Sequence, residues 1–433
     1  MATVRPFRAW RYSHHSKDIS SLTAPPYDVI SPSQRESLLA QSPVNAVALE
    51  LPEGELDPAT PGNRYETGAN RWKQWMGDGT LEQDGTPAIY VLEQSWSVGE
   101  KQIRRKAFIA EVKLHDFEEG VVLPHERTLP KALGDRYALL EATSANFSAV
   151  FGLYPDPLRL TGAIFDSAMT AEPIMTATDA DGVLSRVWSL TDPETVQALA
   201  SILADKNIFI ADGHHRYTVA LAHRNAMRKA AAASDVTSQD PAYDYVLMAL
   251  VDMDDSELVV LPTHRIADAL DSFSAELFYS GLSEYFEVSD TDDFGSEPWW
   301  RLSEIDRPAF LVKTASDDAS KLAVLRESVD LSSVITGGSQ AWKELDVTVL
   351  QELVLRKLFN IHPDEPESLN RLNFSKDERE TLEMAESHDA VFIMRATKMS
   401  QMKAVSLAGD VMPQKSTYFY PKLPSGLVFR SAE

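Results

Sequence analysis

The chain has 433 residues, about three times a common single-domain length, so two or three domains and a sizeable hydrophobic core are expected. Its 41 Lys and Arg stand against 65 Asp and Glu, a net charge of −24 that disfavours nucleic acid and anionic lipid as general partners. With 44% hydrophobic and 24% charged residues the chain is not disordered, collagen-like or a coiled coil, and the absence of cysteine removes disulfides, thiolate zinc sites, iron–sulfur clusters and cysteine nucleophiles.

The N-terminal stretch mixes charged and polar side chains and lacks the apolar run of a secretory signal. No segment is apolar for long enough to span a bilayer, so no membrane partner and a cytoplasmic location are expected. APPYDVIS (24–31) is turn-rich and carries Tyr27 and Asp28, and the acidic, Pro- and Gly-rich segment 52–63 reads as a loop. Apolar runs at 88–92 and 107–112 predict buried strands, and 121–123 predicts a short one before a helix that contains Leu139 and Leu140. A further helix has Asp192 as N-cap, Pro193 at its first position, and Val196, Leu199, Ile202 and Leu203 on one face. The strand expected at 208–211 precedes a helix from about Tyr217 with Ala220 and Leu221 on its buried stripe. Loops are expected at 234–241 and 289–298, and strands at 245–251 and 310–312. Prolines between 409 and 429 forbid a long helix there. Strands alternating with helices predict a mixed α/β fold.

Three stretches carry chemistry. In the first, the strand at 208–211 runs through Asp212-Gly213-His214-His215-Arg216 into a helix. Gly213 can take a positive φ, the first helical N–H groups attract anions, and Arg216 offers a planar fork for phosphate or carboxylate oxygens. The other reading has the two histidines capping the helix or packing in the core while Arg216 pairs with an acid. In the second stretch, His125-Glu126-Arg127-Thr128 places an imidazole, a carboxylate, a guanidinium and a hydroxyl in a row, with Glu126 as general base or metal ligand; a salt-bridged loop is the alternative. In the third, Lys415, Ser416, Thr417 and Lys422 can close on phosphates beside Tyr418 and Tyr420, or form a packed strand with snorkelling lysines. The glycines of a Walker A loop are missing. LPTHR (261–265) adds His264 and Arg265. Neither HExxH nor His-x3–5-His spacing occurs, so a zinc hydrolase is not supported, whereas magnesium needs only one or two carboxylates plus substrate phosphates.

The segments APPYDVIS, PAIYVLEQ, VVLPHERTLPK, DRYALLEA, ADGHHRY, LPTHR, LDVTVLQELVL and MPQKSTYFYPKLPSGLV, in this order, closely resemble the bacterial and archaeal domain-of-unknown-function family 1015. IFIADGHHRYTVA is also similar to the nucleotide-binding turn of the ParB and sulfiredoxin superfamily, which includes CTP-binding partition proteins, sulfiredoxin and an ADP-dependent free serine kinase. That second resemblance implies a ParB/sulfiredoxin-like core over 106–285, between an N-terminal α/β region, 1–105, and a C-terminal one, 286–433. It implies phosphate binding by Gly213, His214 and Arg216 with Lys415, Ser416, Thr417 and Lys422. Asp212 would be the magnesium or substrate-hydroxyl partner, and Glu126 and His215 would act with it in catalysis. His125, Arg127, His264 and Arg265 would line the substrate. Sulfinic-acid repair is excluded by the missing cysteine, and DNA binding by the charge and the lack of a basic helix-turn-helix. The expected activity is magnesium-dependent phosphoryl transfer between ADP or ATP and a small hydroxyl substrate, serine or phosphoserine. A phosphoserine-type phosphatase and a noncatalytic nucleotide-binding regulator are the alternatives.

Overall fold

The computed structural model describes residues 1–13, 17–126, 130–233, 240–291, 302–362 and 365–432. Most of the loops expected at 234–241 and 289–298 lies outside the described residues. The fold is mixed α/β, and the chain divides into two units. The first comprises Met1–Pro124, Thr128–Leu258 and Pro421–Glu433; the second comprises His125–Arg127 and Val259–Tyr420.

The first unit is built on a nine-stranded mixed sheet. Its strands are β1 (Val4–Arg5), β2 (Ile89–Val98), β3 (Lys101–Lys113), β4 (Val122–Leu123), β5 (Val150–Tyr154), β6 (Met175–Thr178), β7 (Leu184–Leu190), β8 (Ile208–Asp212) and β9 (Tyr245–Asp252). They lie in the order β4-β8-β5-β9-β3-β2-β7-β6, with β1 on β3; β4 with β8 and β5 with β9 are parallel pairs and the rest antiparallel. The expected strands at 88–92 and 107–112 are the middle of a long hairpin, β2–β3, closed by the two residues Gly99 and Glu100. The ladder of this hairpin runs on both sides of residues 105 and 106.

Helices flank the sheet: α1 (Pro130–Thr143), α2 (Pro193–Ala204) and α3 (His214–Ala233). As the sequence predicts, Asp192 caps α2, its carboxylate accepting from the Thr195 amide at 2.9 Å, and Leu199 and Leu203 are buried. Leu199, Leu203, Ile208, Ile210, Tyr217, Ala220 and Leu221 join Phe108, Val150 and Met248 in one apolar core, whose removal from water supplies roughly 25 cal/mol per Å².

The second unit holds β10 (Val259–Leu261), β11 (His264–Ala267), β12 (Phe286–Asp290), β13 (Ala309–Lys313), β14 (Lys321–Leu325), β15 (Leu372–Ser375), β16 (Ala390–Ile393) and β17 (Tyr418–Tyr420). Six of them form an antiparallel sheet, β12-β14-β13-β16-β11-β15, and β10 pairs with β17. Phe278 and Phe359 meet the strand residues Phe286, Phe310 and Phe392 in a chain of edge-to-face contacts. No helix among the described residues is long and apolar enough to cross a membrane.

Candidate functional site

In the first unit the chemistry collects where β8 turns into α3. The β8–β5 ladder shifts register between Ile210 and Asp212, an irregularity of the kind that re-aims a side chain at the end of a strand. Asp212 is thus the last residue of β8, and Gly213 follows with φ +86°. A Cβ on Gly213 would lie 2.9 Å from the Arg216 guanidinium, so only glycine lets that side chain fold back over the turn. The helix starts at His214, three residues before the expected position, which places both histidines and Arg216 in its first turn. Tyr217 is instead a core residue, its hydroxyl donating to the His115 carbonyl at 2.9 Å.

Asp212 is ion-paired on both oxygens, Oδ1 with Lys422 Nζ at 2.5 Å and Oδ2 with Arg216 Nη2 at 2.8 Å. Burial works to raise its pKa, but attraction to Lys422 and then to Arg216 outweighs it and holds the carboxyl well below the ordinary range. It is therefore a poor proton acceptor and a good organiser of cations. A third cation stands within Coulombic reach of it: Arg105, on β3, only 2% exposed. The Arg105 guanidinium donates to Gln94 Oε1 and to the Pro421 carbonyl and lies 4.7 Å from the centre of the Phe151 ring. Burial pulls its pKa down to about 9, an effect the Asp212 charge opposes. Arg105 Nη1 and Arg216 Nε are buried with no hydrogen-bond partner among the described residues. Three cationic groups against one carboxylate, with two guanidinium donors unused, is a constellation that an anion completes.

A small cavity of about 50 Å³ opens beside it, lined by Arg216, Glu50, Arg136, Asn146 and Ser148. Glu50 is 3% exposed, held by Arg136 Nη1 at 3.3 Å and by the Ser425 hydroxyl at 3.2 Å. The Tyr27 ring lies 4.2 Å under the Arg136 guanidinium, and burial pushes the Tyr27 hydroxyl up to about 12.

In the second unit His125, 1% exposed, reaches the Thr417 hydroxyl through Nε2 at 2.8 Å. Glu126 Oε1 accepts from the Ser416 amide at 3.0 Å, and Met412 N–H donates to the His125 carbonyl at 2.7 Å. Arg265, fully buried with its pKa lowered to about 10 by desolvation, donates to the Thr263 carbonyl and to the Lys415 carbonyl at 3.1 Å. Lys415 is exposed and takes φ +57°, a left-handed conformation that turns the chain from Pro413 into β17. His264 is 1% exposed, and its Nδ1 accepts from the Met394 amide at 3.1 Å; burial first, and then Arg265, lowers its pKa to about 4. That hydrogen bond fixes the imidazole within β11.

The expected site residues therefore fall into two groups. Asp212, Gly213, Arg216 and Lys422 meet in the first unit, with His214 acting electrostatically on Asp212 and His215 half-buried one residue on. His125, Glu126, Arg265, Lys415, Ser416 and Thr417 meet in the second. The segment 415–422 is divided between them at Pro421. Arg127 lies outside the described residues. The sequence reading missed Arg105 and Arg136. The alternation of buried Ile103, Arg105 and Ala107 along β3 is the signal that sets an arginine on an inner face. In this structure both oxygens of Asp212 are ion-paired, and no group of three or more His, Asp or Glu among the described residues could hold a metal ion by itself.

A mixed α/β protein with an anion-receptive strand-to-helix turn is the class these features define. The chain belongs to the family described as "Protein of unknown function (DUF1015)", which matches residues 4–348. No curated protein matches the sequence. Solved structures with some similarity include a mutant free serine kinase in complex with ADP, 13% identical, TM-score 0.36, over 75% of this chain and 91% of that one. A conserved hypothetical protein from Pyrococcus furiosus is 14% identical, TM-score 0.34, over 74% and 93%. SbnI with a C-terminal truncation, from Staphylococcus aureus, is 10% identical, TM-score 0.34, over 74% and 86%.

Proposed function

We propose that the chain is a phosphotransferase that binds the phosphates of ADP or ATP at the Asp212–Arg216 turn and moves a phosphoryl group to or from a small hydroxyl substrate, free serine and phosphoserine being the pair to test first. The observation that carries this reading is the cationic excess of Arg105, Arg216 and Lys422 around Asp212, with guanidinium donors unused at Arg105 Nη1 and Arg216 Nε. A largely buried net positive charge is costly unless an anion completes it. The choice of serine rests on the resemblance of the DGHHR turn to the superfamily that includes a free serine kinase.

In this reading the substrate oxygen attacks the terminal phosphorus, the new P–O bond forms as the bond to the leaving nucleotide oxygen breaks, and the hydroxyl proton passes to a carboxylate. The three cations take up charge on the non-bridging and leaving oxygens. Asp212 is too acidic to accept that proton. Glu50, which lines the cavity that Arg216 also lines, and Glu126, the base expected from the sequence, are the carboxylates to test for the role. Magnesium enters only as the counter-ion of the nucleotide.

The test is full-length protein with serine and Mg-ADP or Mg-ATP, and with phosphoserine in reverse, read by phosphorus NMR. Phosphoserine formed or consumed at a rate lost in Arg216→Ala supports the proposal. Nucleotide binding with no turnover of either substrate overturns the serine assignment and leaves the regulatory reading.

A further inference from the structure

The second unit contains a larger cavity, about 450 Å³, that the proposed phosphoryl transfer does not use. That volume is in the range of small-molecule sites. One wall is a π-helical turn, Leu350–Leu355, which continues into the helix Arg356–Leu358 and places Gln351, Glu352 and Arg356 on the cavity. π-turns are rare and concentrate at functional sites. The opposite wall is the loop Thr336-Gly337-Gly338, with both glycines at positive φ, +73° and +65°. A Cβ on Gly338 would lie 2.4 Å from the Trp342 ring, so the glycine is what allows the indole to lie flat on the loop and form an aromatic wall.

The charges on this cavity are paired in a particular way. Arg356 Nε meets Glu352 Oε2 at 3.1 Å, one helical turn apart, with side chains 32% and 14% exposed. Gln351 donates to Glu352 at 3.0 Å, and His362 Nδ1 lies 3.2 Å from Arg356 Nη1. The third charge, Asp410, is committed to the Ser339 amide at 2.6 Å. A simple anion entering this cavity would compete with Glu352 for Arg356 and strand the carboxylate, and a simple cation would strand the guanidinium. A ligand carrying both charges on neighbouring atoms can meet both partners, carboxylate to Arg356 and ammonium to Glu352, and leave neither unpaired. We propose that this cavity is a binding site for a small zwitterion of the α-amino-acid class, with its side chain against Trp342. The site is distinct from the Asp212 turn, and most of its lining, Gln351, Glu352, Arg356 and 409–414, lies beyond the residues that match the family.

Occupancy has a route to the Glu126 cluster inside the same unit. Residues 409–414 line the cavity, and the same segment supplies the Met412 amide bonded to His125 and the Pro413 carbonyl that accepts from Ser416, whose own amide holds Glu126.

Isothermal titration calorimetry of the full chain with glycine, L-alanine, L-leucine and L-phenylalanine, which lack the hydroxyl of the proposed phosphoryl acceptor, tests the proposal, with N-acetyl-L-alanine and L-alanine methyl ester as probes that each lack one charge. At least one amino acid is expected to bind saturably, while each single-charge probe binds at least tenfold more weakly than L-alanine or not at all. Glu352→Gln and Arg356→Gln should each weaken the amino acid at least tenfold with melting temperatures near wild type, and Asp212→Asn should leave it unchanged. Saturable binding that survives both glutamine variants, binding that Asp212→Asn abolishes, a methyl ester that binds as well as the free amino acid, or no binding by any of the four would overturn it. If either glutamine variant fails to fold, Trp342→Phe, which keeps the wall but dampens the indole contact, must lower affinity for L-phenylalanine or the site is refuted.

Discussion

Arg105→Met separates a binding residue from a structural one. Wild-type Arg105 is 2% exposed, and burial brings its pKa from 12.5 to about 9, so holding the charge there costs on the order of 5 kcal/mol, at about 1.36 kcal/mol per unit. Methionine fills most of the volume without charge. Replacing a buried ion by an apolar residue of similar size is often neutral or stabilising by about 1–4 kcal/mol. Against this, Gln94 Oε1 and the Pro421 carbonyl lose their donor, at roughly 1–3 kcal/mol for each acceptor that water does not reach. The two effects are of similar size, so the melting temperature should move little. Phosphate binding should not be spared: a charge-assisted hydrogen bond of about 1.5–3 kcal/mol is lost, which is tenfold to more than a hundredfold in affinity. Calorimetric titration with ADP beside thermal melts reads both quantities. A variant that melts far below wild type yet binds ADP equally well would refute the assignment, since the guanidinium would then serve Gln94 and Pro421 alone.

Gly213→Ala must strain a residue at φ +86° and displace the Arg216 guanidinium, so a loss of about 1–3 kcal/mol in stability together with weaker ADP binding is expected by denaturant melts and titration. Asp212→Asn should weaken nucleotide binding by releasing Lys422 and Arg216 from their shared partner, while Arg216→Ala should lower affinity by a similar factor without changing the pH profile of turnover. Glu126→Gln and Glu50→Gln should differ: the variant that abolishes phosphoserine turnover with ADP affinity intact identifies the proton acceptor, and loss in neither removes both from that role. His264 is held near pKa 4 when folded against 6.5 free, so the unfolded chain binds more protons between these values. Stability should fall as pH drops from 6.5 toward 4, by up to about 3 kcal/mol, and His264→Asn, which keeps an acceptor for the Met394 amide, should flatten that slope in pH-dependent melts.

Much of the local structure is written in short stretches of the chain. The α2 cap at Asp192–Pro193 and the strands around 88–92, 107–112, 245–251 and 310–312 follow from periodicity and turn chemistry that act over a few residues. The importance of Asp212-Gly213-His214-His215-Arg216 is legible for the same reason: polar groups crowd directly behind a buried strand. The start of α3 is not, because Gly213 and Arg216 settle it together, through a side chain folding back over a positive-φ turn. The division into units is non-local as well. Segment 421–433 leaves β17 and returns to the first unit, where Lys422 meets Asp212, 210 positions away in sequence. Arg105 shows the limit most plainly: between exposed Arg104 and half-buried Lys106 it is easily read as one more solvent-facing base, and the pairing of β3 with its neighbours is what turns it inward beside Phe151 and toward Asp212. Local patterns specify which backbone forms, because hydrogen-bonding and apolar period are local. Which charges share a buried space depends on contacts closed across hundreds of residues, and the folded chain alone contains them.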